Sequence, residues 1–275
     1  MKKYAFTALV LATLGFAGCQ KGDNVAPASS EKTNSVSGVT ENPPASAIKL
    51  NTSAFVFKKD TEGQTAHNLE KPTTSVTQYL AYLPKGYNDN PEKKWPVILY
   101  LHGSSELGND INSIFWTYFA WKTMDKKYPY ILITPQLRSG QTTWSSDDLV
   151  KVLQEVASKY SIDAERLVVT GYSLGATGAW KLAEYAPSIV AGLLPISGWG
   201  DVSKANTLKN VPIWAFHGDA DQLVNPNFTI NMIQAVREAG STDAKLTIYP
   251  GKGHDVGALT YDNPDVIQWM LNREK

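Results

Sequence analysis

Short apolar runs alternate with helical segments through most of the chain, and this alternation limits the folds open to it. The runs at 95–101 and 130–134 contain almost no polar residue, as expected for strands buried on both faces of a sheet. The same pattern predicts strands at 54–57, 77–83, 166–170, 190–196, 211–216 and 245–249, and helices at 112–127, 146–160, 174–185, 227–239 and 265–273. We therefore expect an α/β fold with a mostly parallel central sheet covered by helices on both faces. Such sheets bind ligands at the carboxyl ends of their strands.

The composition excludes several classes of protein. Of the 275 residues, 43% are hydrophobic and 19% are charged, which argues against a disordered, collagenous or coiled-coil chain. Lys and Arg together number 26, as do Asp and Glu, so no basic excess favours nucleic-acid binding. A single cysteine excludes a disulfide framework and any cysteine-rich zinc or iron–sulfur site.

The first residues have the pattern of a targeting segment. Lys2 and Lys3 precede an apolar stretch that ends at residue 18, too short to span a bilayer as a permanent helix. We predict a signal peptide at 1–18. Residues 19–48 are rich in Ser, Thr, Asn, Pro and Gly, which predicts a flexible tether, and 49–275 are predicted to form one catalytic domain.

The end of the predicted signal peptide contains the only cysteine. Phe16-Ala17-Gly18-Cys19 resembles the lipobox of bacterial lipoproteins. In that family the cysteine is lipidated and becomes the mature N-terminus. The resemblance implies export, lipidation of Cys19, and anchoring to a membrane, in the outer membrane or at the cell surface. The alternative is a free cysteine within an ordinary signal peptide.

A candidate nucleophile lies between a predicted strand and a predicted helix. The segment reads Gly171-Tyr172-Ser173-Leu174-Gly175. Gly-x-Ser-x-Gly alone is a weak motif, but in a strand–turn–helix context its glycines permit a cramped turn that exposes the serine oxygen above the sheet. An inert serine in a tight turn is the alternative. A serine hydroxyl also needs a base within hydrogen-bond reach and a group that orients the base.

Four histidines are candidates for that base. His254 directly follows the last predicted strand, in a glycine-containing loop at the edge of the sheet where Ser173 is expected. His67 precedes the core sheet in a polar stretch, and His102 and His217 begin His-Gly pairs at strand ends, where structural roles are more common. No His-x-x-x-His or similar ligand spacing exists, so we predict neither a metal nor another cofactor.

The orienting acid is expected after the penultimate strand. Asp219 and Asp221 both qualify by position. Either gives the chain order serine, acid, histidine. The oxyanion of an acyl-transfer reaction needs two N–H donors. We expect these from Leu174, which follows the serine, and from Ser104 in the loop after the third strand, with Gly103 as the alternative.

Residues from about 75 to 273 resemble the α/β-hydrolase superfamily. The segment 102–108, His-Gly-Ser-Ser-Glu-Leu-Gly, is similar to the His-Gly-Ser-Gly-Glu-Arg-Gly of a carboxylesterase branch that includes dienelactone hydrolases, phospholipase/carboxylesterases, and secreted feruloyl and acetylxylan esterases. Segments 171–180 and 217–224 also match that branch. The resemblance implies that Asp221 is the acid of the triad. Leu107 and Ser105 depart from the branch, and Ser173 replaces the cysteine of dienelactone hydrolase itself.

Two tryptophans follow strands whose ends meet at the expected site. Trp144 comes after the fourth strand and Trp199 after the sixth. Flat aromatic walls there would suit a sugar ring or a phenolic acyl group, although both residues could equally cap the core. We therefore predict a serine carboxylesterase that acts through an acyl-enzyme on acyl or phenolic esters of polysaccharides, or on small esters, outside the cell.

Two other functions remain open at this stage. One is a serine peptidase of the same fold, because ester and amide cleavage share their machinery. The other is an inactive carbohydrate-binding lipoprotein on a decayed hydrolase fold, against which the complete triad argues. The sequence does not predict an oligomeric state.

Overall fold

The computed structural model describes residues 48–275. The predicted signal peptide, Cys19 and the predicted tether up to residue 47 lie outside the described residues. Within 48–275, no helix is both long enough and apolar enough to cross a membrane.

A single eight-stranded sheet forms the centre of the described domain. Its strands are β1 (Gly63–Asn68), β2 (Val76–Leu83), β3 (Trp95–Leu101), β4 (Ile131–Leu137), β5 (Ile162–Tyr172), β6 (Gly192–Ile196), β7 (Ile213–Gly218) and β8 (Ala244–Tyr249). They lie in the order β1-β2-β4-β3-β5-β6-β7-β8. Strands β3 to β8 pair in parallel, whereas β1 pairs antiparallel with β2 and β2 with β4. The predicted mostly parallel sheet is confirmed.

Six α-helices cover the two faces of the sheet. They are α1 (Tyr118–Lys126), α2 (Ser146–Lys159), α3 (Leu174–Tyr185), α4 (Pro226–Glu238), α5 (Gly257–Asp262) and α6 (Pro264–Leu271). Helices α2, α3 and α4 pack on one face and α1, α5 and α6 on the other, and each face has its own buried apolar cluster. Strands β3 and β4 are buried along their whole length, which explains their continuous apolar runs.

Two sequence predictions at the start of the domain are wrong. Within 54–57, Ala54 lies in a turn and 55–57 have no regular secondary structure, and the first strand of the described residues is Gly63–Asn68. Strand β1 lies at the edge of the sheet and is half-exposed, so its polar sequence carries no apolar signal. The predicted helix at 112–127 is divided into a 3-10 turn, Ile111–Ile114, and helix α1.

Candidate active site

Ser173 lies in a sharp turn between β5 and α3. Its backbone has φ 56° and ψ −120°, a left-handed conformation that is strained for a residue with a side chain. The turn requires both neighbouring glycines, because a Cβ at Gly171 or Gly175 would overlap the backbone carbonyl of Leu101 on β3. This geometry raises Ser173 above the carboxyl edge of the sheet, as predicted from the motif.

The structure brings Ser173, His254 and Asp221 into one hydrogen-bonded line. The Ser173 Oγ lies 2.8 Å from Nε2 of His254, and Nδ1 of His254 lies 2.7 Å from Oδ2 of Asp221. An ionised carboxylate can only accept, so Nδ1 carries the hydrogen and Nε2 is free to accept the serine proton. The side chain of Asp221 is fully buried, whereas that of His254 remains 15% exposed. Such a line is the arrangement that activates a serine hydroxyl.

Asp219, the other acid that qualified by position, does not reach His254. It is exposed, and its Oδ1 accepts a hydrogen bond of 2.7 Å from the backbone N–H of Gly251. It therefore fixes the turn after β8, while Asp221 contacts the histidine.

The carboxylate of Asp221 is held by four donors. Oδ1 accepts the backbone N–H groups of Leu223 and Val224, at 2.8 and 3.0 Å. Oδ2 accepts from His254 and also from Nε2 of His217, at 2.9 Å. Burial alone would raise the pKa of Asp221, but these hydrogen bonds, led by that from Val224, hold the pKa below its ordinary value. Asp221 is therefore ionised at neutral pH.

The contact between His217 and Asp221 was missed by the sequence analysis, which assigned His217 a role in a turn. The spacing of four residues between them gives no signal by itself, since the intervening chain is a loop. The His-Gly pair at the end of β7 was the only feature of the sequence that indicated a structural role for His217.

The loop that carries His254 is fixed through its backbone. The carbonyl oxygen of His254 accepts a hydrogen bond of 2.9 Å from the hydroxyl of Ser197 and a longer one from that of Tyr172. Ser197 is fully buried at the end of β6 and has a positive φ of 54°. The hydroxyl groups of Tyr172 on β5 and Ser197 at the end of β6 thus hold the loop of His254, which follows β8.

The loop after β3 lies beside Ser173. A Cβ at Gly103 would lie 3.6 Å from Cβ of Ser173, so the start of this loop and the nucleophile are in van der Waals reach. Ser104 begins a 3-10 turn, and Leu174 is the first residue of α3. This placement is compatible with the predicted pair of N–H donors, whose role stays a prediction.

His102 joins this loop to the end of β4. Its Nε2 accepts the backbone N–H of Leu137 at 3.0 Å, and Nδ1 lies 2.8 Å from the carbonyl oxygen of Gly103 and donates to it. Both contacts require the neutral ring. In agreement, burial lowers the pKa of His102 to about 4, against the small opposing effect of the Gly103 carbonyl.

The expectation that Trp144 forms a wall of the substrate site is wrong. This side chain is only 2% exposed and packs edge-on against His102, with ring centroids 5.0 Å apart. Gly178 of α3 lies so close that a Cβ there would overlap the indole ring. Trp144 therefore belongs to the core beneath the loops.

Trp199 is 41% exposed and lines a cavity of about 600 Å³ that runs along α3 from Thr177 to Tyr185 and is not lined by Ser173, His254 or Asp221. Its backbone N–H contacts the hydroxyl of Thr177, one turn of α3 beyond Ser173. Four charged side chains share the lining: Lys181, Glu184, Asp201 and Lys204. The crowding of aromatic residues at 115–121 favours their burial over a lid, but Trp116 and Trp121, around the start of α1, are exposed.

Comparison with known proteins agrees with this architecture. The model of the Dienelactone hydrolase family matches residues 130–261, which include Ser173, Asp221 and His254. A crystal structure of a thermostable esterase superposes with a TM-score of 0.66 at 25% identity, covering 77% of this chain and 63% of the esterase. The chain has the α/β-hydrolase fold.

Two curated proteins illustrate what this chain is similar to. Feruloyl esterase D of Neurospora crassa is 26% identical over 229 residues, which cover 77% of this chain and 79% of that protein. The bifunctional acetylxylan esterase/xylanase XynS20E of Neocallimastix patriciarum is 23% identical over 136 residues, 47% of this chain and 20% of that enzyme. Across three of the curated relatives, the chain spans between a fifth and a half of their length.

Among residues 48–275, no group of three or more His, Cys, Asp or Glu side chains could hold a metal ion. Of the four histidines, only His217 and His254 share a carboxylate partner at hydrogen-bond distance.

The low pKa of His102 predicts a specific dependence of stability on pH. In the unfolded protein this ring has its ordinary pKa of 6.5, whereas in the folded protein the pKa is about 4. Below pH 6.5 the unfolded chain binds the proton first, so the free energy of unfolding falls with the pH until about pH 4. The total loss is about 3 kcal/mol. Urea denaturation at pH values from 7.5 to 4 measures it.

The control is His102→Gln, whose amide oxygen can accept the N–H of Leu137 but does not titrate in this range. We expect the variant to lose less unfolding free energy than the parent between pH 6.5 and 4. Equal losses in the two proteins would mean that His102 is not the source of the acid sensitivity.

Proposed function

We propose that this α/β-hydrolase is a serine carboxylesterase in which Ser173, His254 and Asp221 act as the catalytic triad. One observation carries the proposal. The Ser173 hydroxyl, the His254 ring and the Asp221 carboxylate are joined by contacts of 2.8 and 2.7 Å, at the carboxyl edge of a parallel sheet. The strained backbone of Ser173 supports the same role, because strain of this kind is concentrated at functional sites.

In the first half of the reaction, Oγ of Ser173 forms a bond to the carbonyl carbon of the ester. The serine proton moves to Nε2 of His254, and the carbonyl π electrons move to its oxygen. Asp221 stabilises the resulting imidazolium by accepting from its Nδ1–H. As the tetrahedral intermediate collapses, the bond to the alcohol oxygen breaks, and His254 returns its proton to that oxygen. Ser173 is left as an acyl ester.

In the second half, water takes the place of the serine hydroxyl. His254 removes a proton from water as the water oxygen attacks the acyl carbon, then gives it to Oγ of Ser173 when that bond breaks. The carboxylic acid is released. In both halves the negative oxygen is stabilised by the backbone N–H groups of Leu174 and Ser104, each contributing on the order of 3 kcal/mol to the transition state.

The proposed substrates are acyl or phenolic esters of polysaccharides. The cavity along α3, which begins at Thr177, one helical turn beyond Ser173, supports this class, because an exposed indole next to several charged groups suits a sugar ring, with its flat face and its hydroxyls. The names of the relatives support it as well, since they include an acetylxylan esterase and a feruloyl esterase. Small esters are the alternative substrates.

A serine peptidase is the second candidate. The curated relatives include a probable dipeptidyl-aminopeptidase B of Sclerotinia sclerotiorum, 22% identical over 234 residues and matching 66% of this chain. The triad geometry serves amide and ester cleavage alike. The same geometry argues against the third candidate, an inactive carbohydrate-binding protein.

Replacing Ser173 by Ala is expected to lower the hydrolysis of esters at least 1,000-fold while leaving the melting temperature unchanged, because it removes one oxygen at a half-buried position. A panel of p-nitrophenyl acetate, methyl ferulate, acetylated xylan and an aminoacyl-anilide measures both activity and preference. Ser158→Ala, on the exposed side of α2, is the matched control. Hydrolysis that survives in the Ser173 variant contradicts the proposal, and cleavage of the anilide alone favours the peptidase.

Trp199→Ala is expected to raise KM for acetylated xylo-oligosaccharides about tenfold and to leave p-nitrophenyl acetate hydrolysis within twofold, because the lost stacking acts only on a sugar. Steady-state kinetics on the two substrates measure the difference. Trp121→Ala is the control, since Trp121 is 42% exposed, like Trp199 at 41%, but lies on α1. An effect at Trp121 and none at Trp199 would place the sugar on the opposite side of Ser173.

We also propose that the chain is exported and held at a membrane by a lipid on Cys19, in the outer membrane or at the cell surface. The support is the sequence Phe16-Ala17-Gly18-Cys19 after an apolar segment. Labelling of producing bacteria with palmitate is expected to mark the parent protein and not a Cys19→Ser variant. Equal labelling of both, or of neither, would refute the anchor.

A further inference from the structure

His217 is a buried histidine that the proposed reaction does not use. It is fully buried as the penultimate residue of β7, and its Nε2 faces two acceptors. These are Oδ2 of Asp221 at 2.9 Å and the carbonyl oxygen of Val224 at 3.1 Å. Because neither acceptor carries a hydrogen, Nε2 of His217 must be protonated for the contacts to form.

The other ring nitrogen of His217 contacts Thr229 on α4. Nδ1 lies 2.7 Å from the Thr229 hydroxyl, which also lies 2.7 Å from the carbonyl oxygen of Gly198. Burial lowers the pKa of His217, although the Val224 carbonyl and the Asp221 carboxylate oppose that effect. The ring is therefore neutral, with its one hydrogen on Nε2, and Nδ1 accepts the single hydroxyl hydrogen of Thr229. That hydrogen cannot also be donated to the Gly198 carbonyl, so the approach of the two oxygens is a contact in this protonation state.

Asp221 would be incompletely held without this ring. Its Oδ1 is fixed by two backbone N–H groups, but within residues 48–275 the only hydrogen bonds to Oδ2 come from the rings of His217 and His254. His254 is the ring that has to receive and release a proton, so it cannot also serve as the fixed support of the carboxylate. His217 has no contact with Ser173 and does not titrate near neutral pH. It can therefore hold Oδ2 in place throughout the reaction.

We propose that His217 is a positioning residue, which donates from Nε2 to Oδ2 of Asp221 and so fixes the carboxylate in line with Nδ1 of His254. The inference rests on the proposed function of the triad. Thr229 in turn donates to Nδ1 and so fixes the rotation of the His217 ring. Its hydroxyl oxygen also lies against the carbonyl oxygen of Gly198, and Gly198 packs against the backbone of Ser173, so the support of the acid and the turn at Ser173 are in contact.

Two amide substitutions of His217 test the roles of its two ring nitrogens separately. In His217→Gln the amide N–H₂ can occupy the place of Nε2 and donate to Asp221. In His217→Asn the shorter side chain places its amide near Nδ1, where it reaches Thr229 and not Asp221. We expect the Gln variant to keep kcat for p-nitrophenyl acetate within threefold of the parent. We expect the Asn variant to lose kcat about 10- to 100-fold with KM unchanged, because misplacing a catalytic group affects the chemical step.

The control is His67→Asn, on edge strand β1, where the histidine contacts Thr65 and Tyr160 but not Asp221. It is expected to keep full activity. The melting temperature of every variant is measured alongside, so that loss of folded protein is separated from loss of kcat. An Asn variant with the kcat of the parent, or Gln and Asn variants that are equally impaired, would overturn the role of Nε2.

Inactivation by an organophosphate tests this inference separately from the proposed function, because the measurement needs no ester substrate. The rate of inactivation by diisopropyl fluorophosphate reports on activation of Ser173 alone, and it is expected to fall in the Asn variant by the same factor as kcat. If the parent is inactivated rapidly but hydrolyses no ester of the panel, the proposed substrate class fails while the role of His217 is still tested. Equal inactivation rates in parent and Asn variant would overturn the inference even where ester hydrolysis is established.

Discussion

The close approach of the turn at Ser173 to the backbone of β3 is the constraint on which the site depends. Two glycines let α3 begin directly against the carbonyl of Leu101, and the serine between them has a left-handed backbone. The parallel pairing of β3 with β5 fixes this contact in the centre of the sheet. Every other functional group reaches the serine from a loop after another strand of the same sheet, so the position of Ser173 determines where the loops after β3, β6, β7 and β8 have to meet.

Three buried or half-buried histidines near the site differ in which nitrogen carries the hydrogen. His102 and His254 are protonated on Nδ1, and His217 on Nε2, as their partners require. His102 ties the loop beside the nucleophile to β4, and His217 ties the acid to α4. Two of these imidazole rings thus connect two parts of the fold, and the third, His254, is the base of the proposed reaction. His254 differs from the other two in its partial exposure and its contact with the Ser173 hydroxyl.

The sequence predicted the parts of this arrangement that local patterns encode. Continuous apolar runs located the buried strands, and the glycines around Ser173 located the turn, because both are properties of neighbouring residues. The order of the strands brought His254 and either of two acids to the same edge. Choosing between Asp219 and Asp221 from residues alone was not possible, since the difference lies in which carboxylate turns inward. The burial of Trp144, the polar edge strand β1 and the contact of His217 with Asp221 are products of tertiary packing and leave no local signal.

The three residues of the proposed triad follow strands that differ in how well they are protected from local unfolding. Ser173 follows β5, which is paired on both sides in the interior. His254 follows β8, an edge strand that pairs only with β7 and is half-exposed along most of its length. Edge elements with exposed backbone hydrogen bonds open at lower free energy than a central core. Local unfolding of β8 would move His254 away from Ser173 while the turn that carries Ser173 stays folded. We therefore expect heat inactivation to begin as a local and reversible event, before the whole domain unfolds.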